Sequence, residues 1–472
     1  MILSLFTFSA CSSKSERARK EKSEQIAMKV SGRNITALEF QVLYSASVQS
    51  FLNSNSSSKN LPDTKKSFDE QKCAVEGSTD LTWAQFFTDY TVSYCKELYS
   101  VYAEATGAGI SPSEEFVSSQ LKNFDKTASS AVSSGKAKSV EEYTESVFGI
   151  GVIVDDIKNY FEVLSVYNQY VENLGKDKTF SDEERSAYYE KRKDEIDAYT
   201  VRLAFFNEDS KSQGLNLDEI PGLANMTLLE TAKYFKEHYT SSETAFADGY
   251  SNNFMTTNML ASYGTADVTL TYNFNGKYFD DYDKDFYGWI SSPERAKGDV
   301  YLVDASSNGA TFVIYYIEKD TRDYKLVNFY EMLVETSSSG EVNSAWEASS
   351  GTKDDFIELV KKYSKDPNKE NEEGYHKNVY KGYTLFTQIN KWLYNGKRTS
   401  GDVEIFETSS GMVYIYFDSY GILYRDFIVN AALLNEYYRA EIEKLIGKTD
   451  TETGDASGIW KDVPAANGSS AS

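Results

Sequence analysis

The chain has 472 residues, about three times a typical domain of roughly 150, so two to four domains are expected. Setting 49 basic against 72 acidic side chains leaves a formal net charge of −23, which speaks against a phosphate-binding surface because nucleic-acid affinity rests largely on Lys and Arg. Its 3 Cys cannot build a disulfide-dense scaffold or a four-cysteine zinc site, and its 2 His leave little for Ser-His or Cys-His catalysis.

Residues 2–10 form a short apolar run ending at Cys11, and a charged, serine-containing stretch follows over 12–25. A spanning helix needs about 20 apolar residues, so this run cannot cross a bilayer and reads as the tail of a secretory signal. Ser9-Ala10-Cys11 resembles a bacterial lipobox, with Phe8 where that motif prefers Leu. The resemblance implies lipidation of Cys11 and an extracytoplasmic, membrane-anchored lipoprotein of the bacterial cell envelope. Cys95 falls among the helically spaced Trp83, Phe86, Phe87, Tyr90, Tyr94 and Leu98, where a free thiol packs as a small apolar group. Cys73 reads the same way, although a bridge between the two is permitted outside the cell.

Residues 26–178 have a helical pattern after a short strand and turn, Met28-Lys29-Val30-Ser31-Gly32. Thr36-Ala37-Leu38-Glu39 predicts a capping box, and Phe40, Leu43, Tyr44 and Val48 mark the core face of the helix behind it. Residues 53–80 are polar and read as a loop. Further helix starts fall at Thr82, at Ser111-Pro112-Ser113-Glu114 with Pro in the first helical position, and at Ser139. Residues 151–171 form another apolar, aromatic segment. Ser181-Asp182-Glu183-Glu184 opens a capped helix, and mixed helix and strand then run to 423. Strands are expected over 199–206 and 268–274, a helix over 228–239, and a hairpin from 300–303 and 312–317. The last long helix spans 424–446, with Gly447 as its cap, and the Gly/Ser/Thr/Asp-rich tail over 447–472 reads as disordered.

The most specific signal is an internal repeat. Trp289 is followed by Arg295 and Gly298-Asp299-Val300, and Trp392 by Arg398 and Gly401-Asp402-Val403 at the same spacings, an offset of 103 residues. Each unit continues with a short strand, a Ser/Asn-Gly turn and an aromatic strand, Phe312-Val313-Ile314-Tyr315-Tyr316 in one and Val413-Tyr414-Ile415-Tyr416-Phe417 in the other.

Phe356-Ile357-Glu358-Leu359-Val360-Lys361-Lys362-Tyr363-Ser364-Lys365-Asp366, with Lys397-Arg398, Gly401-Asp402-Val403 and Gly411, resembles the parvulin-type peptidyl-prolyl isomerases. Val30-Ser31-Gly32 and Ile35-Thr36-x-x-Glu39-Phe40 are similar to the helical domain of the extracytoplasmic foldases of the PrsA and SurA group. The resemblance implies a multidomain α+β chain. Residues 1–25 would be signal remnant, lipobox and tether. Residues 26–178 would be a helical chaperone domain, completed by the C-terminal helix 424–446. Tandem parvulin-like α+β domains would occupy 179–322 and 323–423. It also shows where this sequence departs. The parvulin first-strand His is replaced by Leu203 in copy one, which keeps Arg202, and by Glu331 in copy two, while Val413 takes the second His position in copy two. Both copies are therefore degenerate, with no catalytic residue identified. Met332, Phe386, Met412 and Tyr414 are candidates for a residual apolar peptide-binding surface.

Asp283-Lys284-Asp285, Gly288 and Glu294 partly match a calcium loop, but Tyr287 and Pro293 break it, and a solvated acidic turn is expected. His238 and His376 read as surface residues, the latter in a polar loop. No metal or cofactor is expected. The implied partners are unfolded or nascent secreted polypeptides and the membrane, with no nucleic acid and with homodimer formation left open. The leading expectation is a lipid-anchored chaperone with little isomerase activity; an active prolyl isomerase and a solute-binding or adhesion lipoprotein are the alternatives.

Overall fold

The computed structural model describes residues 5–56, 60–214, 216, 218, 220–255, 271–367, 369, 373–383, 386–408, 410–454 and 458–462. The chain divides into two units, Met1–Thr179 with Leu434–Ser472, and Phe180–Leu433.

The first unit opens with α1 (Leu5–Glu24), so the segment expected to be a loose tether is helical instead. Strands β1 (Ile26–Val30) and β2 (Arg33–Thr36) follow, joined at Ser31 and Gly32, both with positive φ. Then come α2 (Ala37–Ser54), α3 (Trp83–Gly107), α4 (Glu114–Ser133), α5 (Val140–Phe148) and α6 (Val154–Gly175). The starts of α2 and α3 are capping boxes: the Glu39 amide donates to Thr36 Oγ1 at 3.2 Å and the Gln85 amide to Thr82 Oγ1 at 3.3 Å. At α4 the cap is Ser113, so Pro112 precedes the helix rather than occupying its first position. Helix α2 is the hub of this unit, with Phe40, Leu43, Tyr44 and Val48 buried against Trp83, Phe87 and Leu98. Cys73 and Cys95 are buried free thiols in the same core, and burial pushes the Cys95 thiol up.

The second unit contains the repeat. Copy one comprises α7 (Asp182–Ile196), β3 (Ala198–Phe206), α8 (Glu208–Gln213), α9 (Leu228–Tyr239), α10 (Glu243–Asn253), β4 (Thr271–Asn275), α11 (Phe286–Ile290), β5 (Val300–Ala305) and β6 (Ala310–Asp320). Residues 268–270 of the expected strand lie outside the described residues. Copy two comprises β7 (Lys325–Val334), α12 (Ser339–Glu347), α13 (Lys353–Tyr363), β8 (Tyr375–Val379), α14 (Thr387–Leu393), β9 (Val403–Thr408) and β10 (Gly411–Leu423). The antiparallel sheets run β4-β3-β6-β5 and β8-β7-β10-β9, one topology used twice.

The repeated residues make the same local structure in both copies. Arg295 pairs with Asp299 at 2.9 Å and lies 5.0 Å from the Trp289 ring centre. Arg398 pairs with Asp402 at 3.6 Å and lies 4.6 Å from that of Trp392. The Gly298 amide donates to Tyr316 O and the Gly401 amide to Phe417 O, closing each unit onto its long strand.

The C-terminal part departs from expectation. Helix α15 (Tyr424–Lys448) runs straight through Gly447, which therefore does not cap it. The tail expected to be disordered then forms β11 (Thr451–Thr453), which pairs antiparallel with β1. Further on, Ile459 is 5% exposed within the core around α2. Tertiary pairing thus orders a stretch that has no apolar periodicity of its own. Replacing Ile459 with Ala is expected to destabilise the first unit by about 2–4 kcal/mol through the cavity it leaves. Hydrogen exchange at the α2 amides should speed up accordingly; a tail without a structural role would leave it unchanged.

Candidate functional site

In a strand, successive side chains point to opposite faces. On β7 this places Val327, Phe329, Glu331 and Leu333 on one face, and Asn328, Tyr330, Met332 and Val334 on the other. The register with β10 sets Val413 opposite Leu333, Ile415 opposite Glu331 and Phe417 opposite Phe329. The first face therefore carries Glu331 and Val413 together, with an apolar cluster of Phe329, Val413, Ile415 and Phe417 bounded by Phe386, Trp392 and Phe406. Ile389 and Leu393 of α14 pack into it.

The same register argument identifies the matching residue in copy one. Ile314 stands opposite Tyr301 on β5 and Leu203 on β3, while Ile415 stands opposite Glu404 on β9 and Glu331 on β7. Leu203 and Glu331 thus occupy equivalent positions in the two sheets. Leu203 is 8% exposed among Phe279, Phe286 and Ile314, an aromatic and aliphatic surround. Arg202 faces the other way and pairs with Glu243 of α10 at 3.1 Å.

Glu331 sits in a different environment. Its backbone amide donates to Gly374 O at 2.8 Å. Gly374 has φ +77, and a Cβ there would lie 2.5 Å from Glu331 O, so only glycine fits against this strand. The Glu331 carboxyl is pushed up to about 7, first by burial and then by the like charge of Asp366 in the loop after α13. That loop is tied to β7: Ser364 Oγ accepts from the Leu333 amide, and the Lys365 amide donates to Leu333 O at 2.8 Å.

The second surprise is His376. It was expected on the surface of a polar loop, but it lies on β8 opposite Phe329, with its side chain 11% exposed. Its ring stacks on Phe329 at 4.9 Å, and Nε2 is 3.8 Å from Glu331 Oε2. Glu331, Asp366 and His376 therefore form a titratable group at the edge of an apolar face. The segment Tyr375-His376-Lys377-Asn378-Val379 conceals its strand character, because Asn378 adopts φ 54 and breaks the alternation.

Of the four peptide-surface candidates, Phe386 lies on the face with Glu331. Met332, Met412 and Tyr414 belong to the opposite cluster, which packs with Val342, Phe356 and Val360 of α12 and α13. Met332 is fully buried, and the Tyr414 hydroxyl donates to Asn343 Oδ1 at 2.7 Å. Met332 and Tyr414 are thus interior, while Met412 is half-buried at the edge of that cluster. Cys11 lies within α1. His238 is exposed at the end of α9, stacked on Tyr234, as expected. Asp283 accepts the Asp285 amide at 2.9 Å within its acidic turn. Among the described residues, no group of three or more His, Cys, Asp or Glu side chains is arranged to hold a metal ion.

No protein-family model and no curated protein matches the chain. Among solved structures it is similar to PrsA from Bacillus subtilis, with 11% identity and a TM-score of 0.31, covering 81% of this chain and 93% of that one. PrsA from Bacillus cereus, a peptidylprolyl isomerase, aligns at 13% identity and TM-score 0.19 over 84% of this chain and 99% of its own. PrsA from Bacillus anthracis, also a peptidylprolyl isomerase, aligns at 14% identity and TM-score 0.19 over 27% of this chain, which spans 59% of that protein. Scores this low carry neither activity nor partners across to this chain.

A carboxyl raised in the folded state binds its proton more tightly there than when unfolded. Its contribution to stability is therefore complete below the ordinary carboxylate range and is lost as pH rises through about 7. The second unit is expected to lose roughly 2–3 kcal/mol between pH 5 and pH 8 from this group. Urea unfolding across that range, with Glu331→Gln as the control that flattens the profile, checks it.

Proposed function

We propose that the chain is a lipid-anchored extracytoplasmic foldase that binds unfolded secreted polypeptides and has little prolyl-isomerase activity. The observation that carries this reading is the equivalence of Leu203 and Glu331 across the two sheets. In each copy the strand position that a parvulin fills with His holds another residue, Leu203 in one and Glu331 in the other. An apolar cluster surrounds each position. A face of that kind suits an extended, partly hydrophobic peptide, whereas isomerisation must overcome a barrier of about 18–20 kcal/mol.

The first unit supplies a further apolar surface. A groove of about 630 Å³ runs between α3 and α15, lined by Tyr90, Tyr94, Ile442 and Ile446 with Glu97 and Arg439 at hand. Tyr90 is 42% exposed there. A mixed groove of this type fits unstructured chain better than one rigid small ligand. The anchor is read from the apolar run before Cys11; no helix among the described residues is long and apolar enough to cross a membrane.

One observation favours a second reading, an active isomerase: Glu331 titrates near neutrality beside Asp366 and His376, on an apolar face. A protonated carboxyl there could donate to a peptide carbonyl. Two assays decide between them. Substoichiometric protein is expected to suppress aggregation of an unfolded client, and absence of both protection and client binding defeats the foldase reading. In a protease-coupled proline-peptide assay the expected rate stays close to the uncatalysed one. Turnover well above it, falling as pH rises through 7 and lost in Glu331→Gln, would establish the isomerase instead.

A further inference from the structure

We propose that α1 is a strut standing against the membrane, with Lys14, Arg17 and Lys20 on anionic lipid headgroups and its inner side locked to the helical unit. The proposal rests on the reading that Cys11 is lipidated, and it goes beyond that reading by replacing a flexible leash with a fixed element.

The inner side is specific. Arg19 pairs with Asp156 at 2.5 Å and donates to Gly151 O at 2.9 Å. Lys22, 9% exposed, donates to Ile150 O at 2.9 Å, and Ser15 hydrogen-bonds Glu145. Gly151, at φ +95, is packed so closely that a Cβ there would lie 2.9 Å from the Arg19 amide nitrogen. Ser15, Arg19 and Lys22 are spaced i, i+4, i+7, which is one helix stripe.

The outer side carries three basic and two acidic side chains. At about 100° per residue, Lys14, Arg17 and Lys20 fall on the side away from that stripe. All three are exposed, with no ion-pair partner among the described residues. Between residues 12 and 24 there are five basic and three acidic side chains, in a chain whose net charge is −23. Glu21 and Glu24 share the outer side but lie further from Cys11, and Glu16 lies on the flank. On the outer side itself the three cations therefore lie nearer Cys11 than the two acids do. From Cys11 to Arg19 is eight residues, about 12 Å of helix, so the α5–α6 loop that Arg19 and Lys22 grip is held within a short, fixed distance of the bilayer. Headgroups of anionic lipid are the partner this charge pattern fits, since basic residues beside an anchor are attracted to them.

Detergent-phase partition of the wild-type and Cys11→Ser chains reads the anchor alone; equal partition removes the lipid reading and the strut with it, and leaves the headgroup contact to the vesicle test. The Cys11→Ser chain is then mixed with vesicles of phosphatidylcholine, with and without phosphatidylglycerol. It is expected to prefer the anionic vesicles, and the combined Lys14→Gln, Arg17→Gln, Lys20→Gln variant to lose that preference by roughly tenfold or more. No preference, or the same preference in both chains, overturns the headgroup contact. For the lipidated chain, a donor dye on Asp155→Cys should transfer efficiently to a headgroup acceptor, and Arg19→Ala with Lys22→Ala should reduce the transfer. Transfer that is no higher in the parent than in this released variant overturns the strut.

Discussion

Everything at the candidate site follows from how β7 lies on β10 and β3 on β6. An antiparallel pair has two faces and one register, and a slip of a single residue would exchange the faces. The observed register sends Glu331, Val413 and Ile415 to one side and Met332 and Tyr414 to the other. It also makes Leu203 the counterpart of Glu331 through their shared opposite position, Ile314 in one sheet and Ile415 in the other. Side-chain chemistry is secondary to this pairing, because the pairing decides which side chains pack under α14 and which under α12 and α13.

Much of the architecture was legible because its signals are local. Capping boxes at Thr36, Thr82 and Ser181 are satisfied within four residues, so the chain states them directly. The repeat was legible for the same reason: Trp, Arg and Gly-Asp close on one another within a dozen positions. Two of the larger failures depend on distant partners. His376 sits in a strand with poor alternation that is paired by β7, and β11 is a Thr-Glu-Thr segment recruited by β1. The peptide-surface candidates divide between the two faces for a different reason. Glu331 and Met332 are consecutive in a strand, so alternation alone forbids them a common face.

The two copies have kept one scaffold and parted in its lining. Copy one fills the face around Leu203 with Phe279, Phe286 and Phe312 and spends its buried charge elsewhere, on Arg202 with Glu243 and Lys297. Copy two keeps polar groups at the corresponding place and raises the Glu331 carboxyl towards neutrality by removing it from water. One cluster is thus purely apolar, while the other carries at its edge a carboxyl whose charge depends on pH.

The pairing of β11 with β1 joins residues more than 400 positions apart, and Ile459 seals the same core. The unit that begins the sequence is therefore also the one that ends it. A polypeptide delivered N-terminus first has all of Phe180–Leu433 available before Leu434–Ser472 arrives. The inserted unit can settle on its own contacts, while the helical unit waits with an open β1 edge and an incompletely covered α2 core. Until its last strand arrives, a protein proposed to shelter unfolded chains has an unfinished surface of the kind it would bind in others.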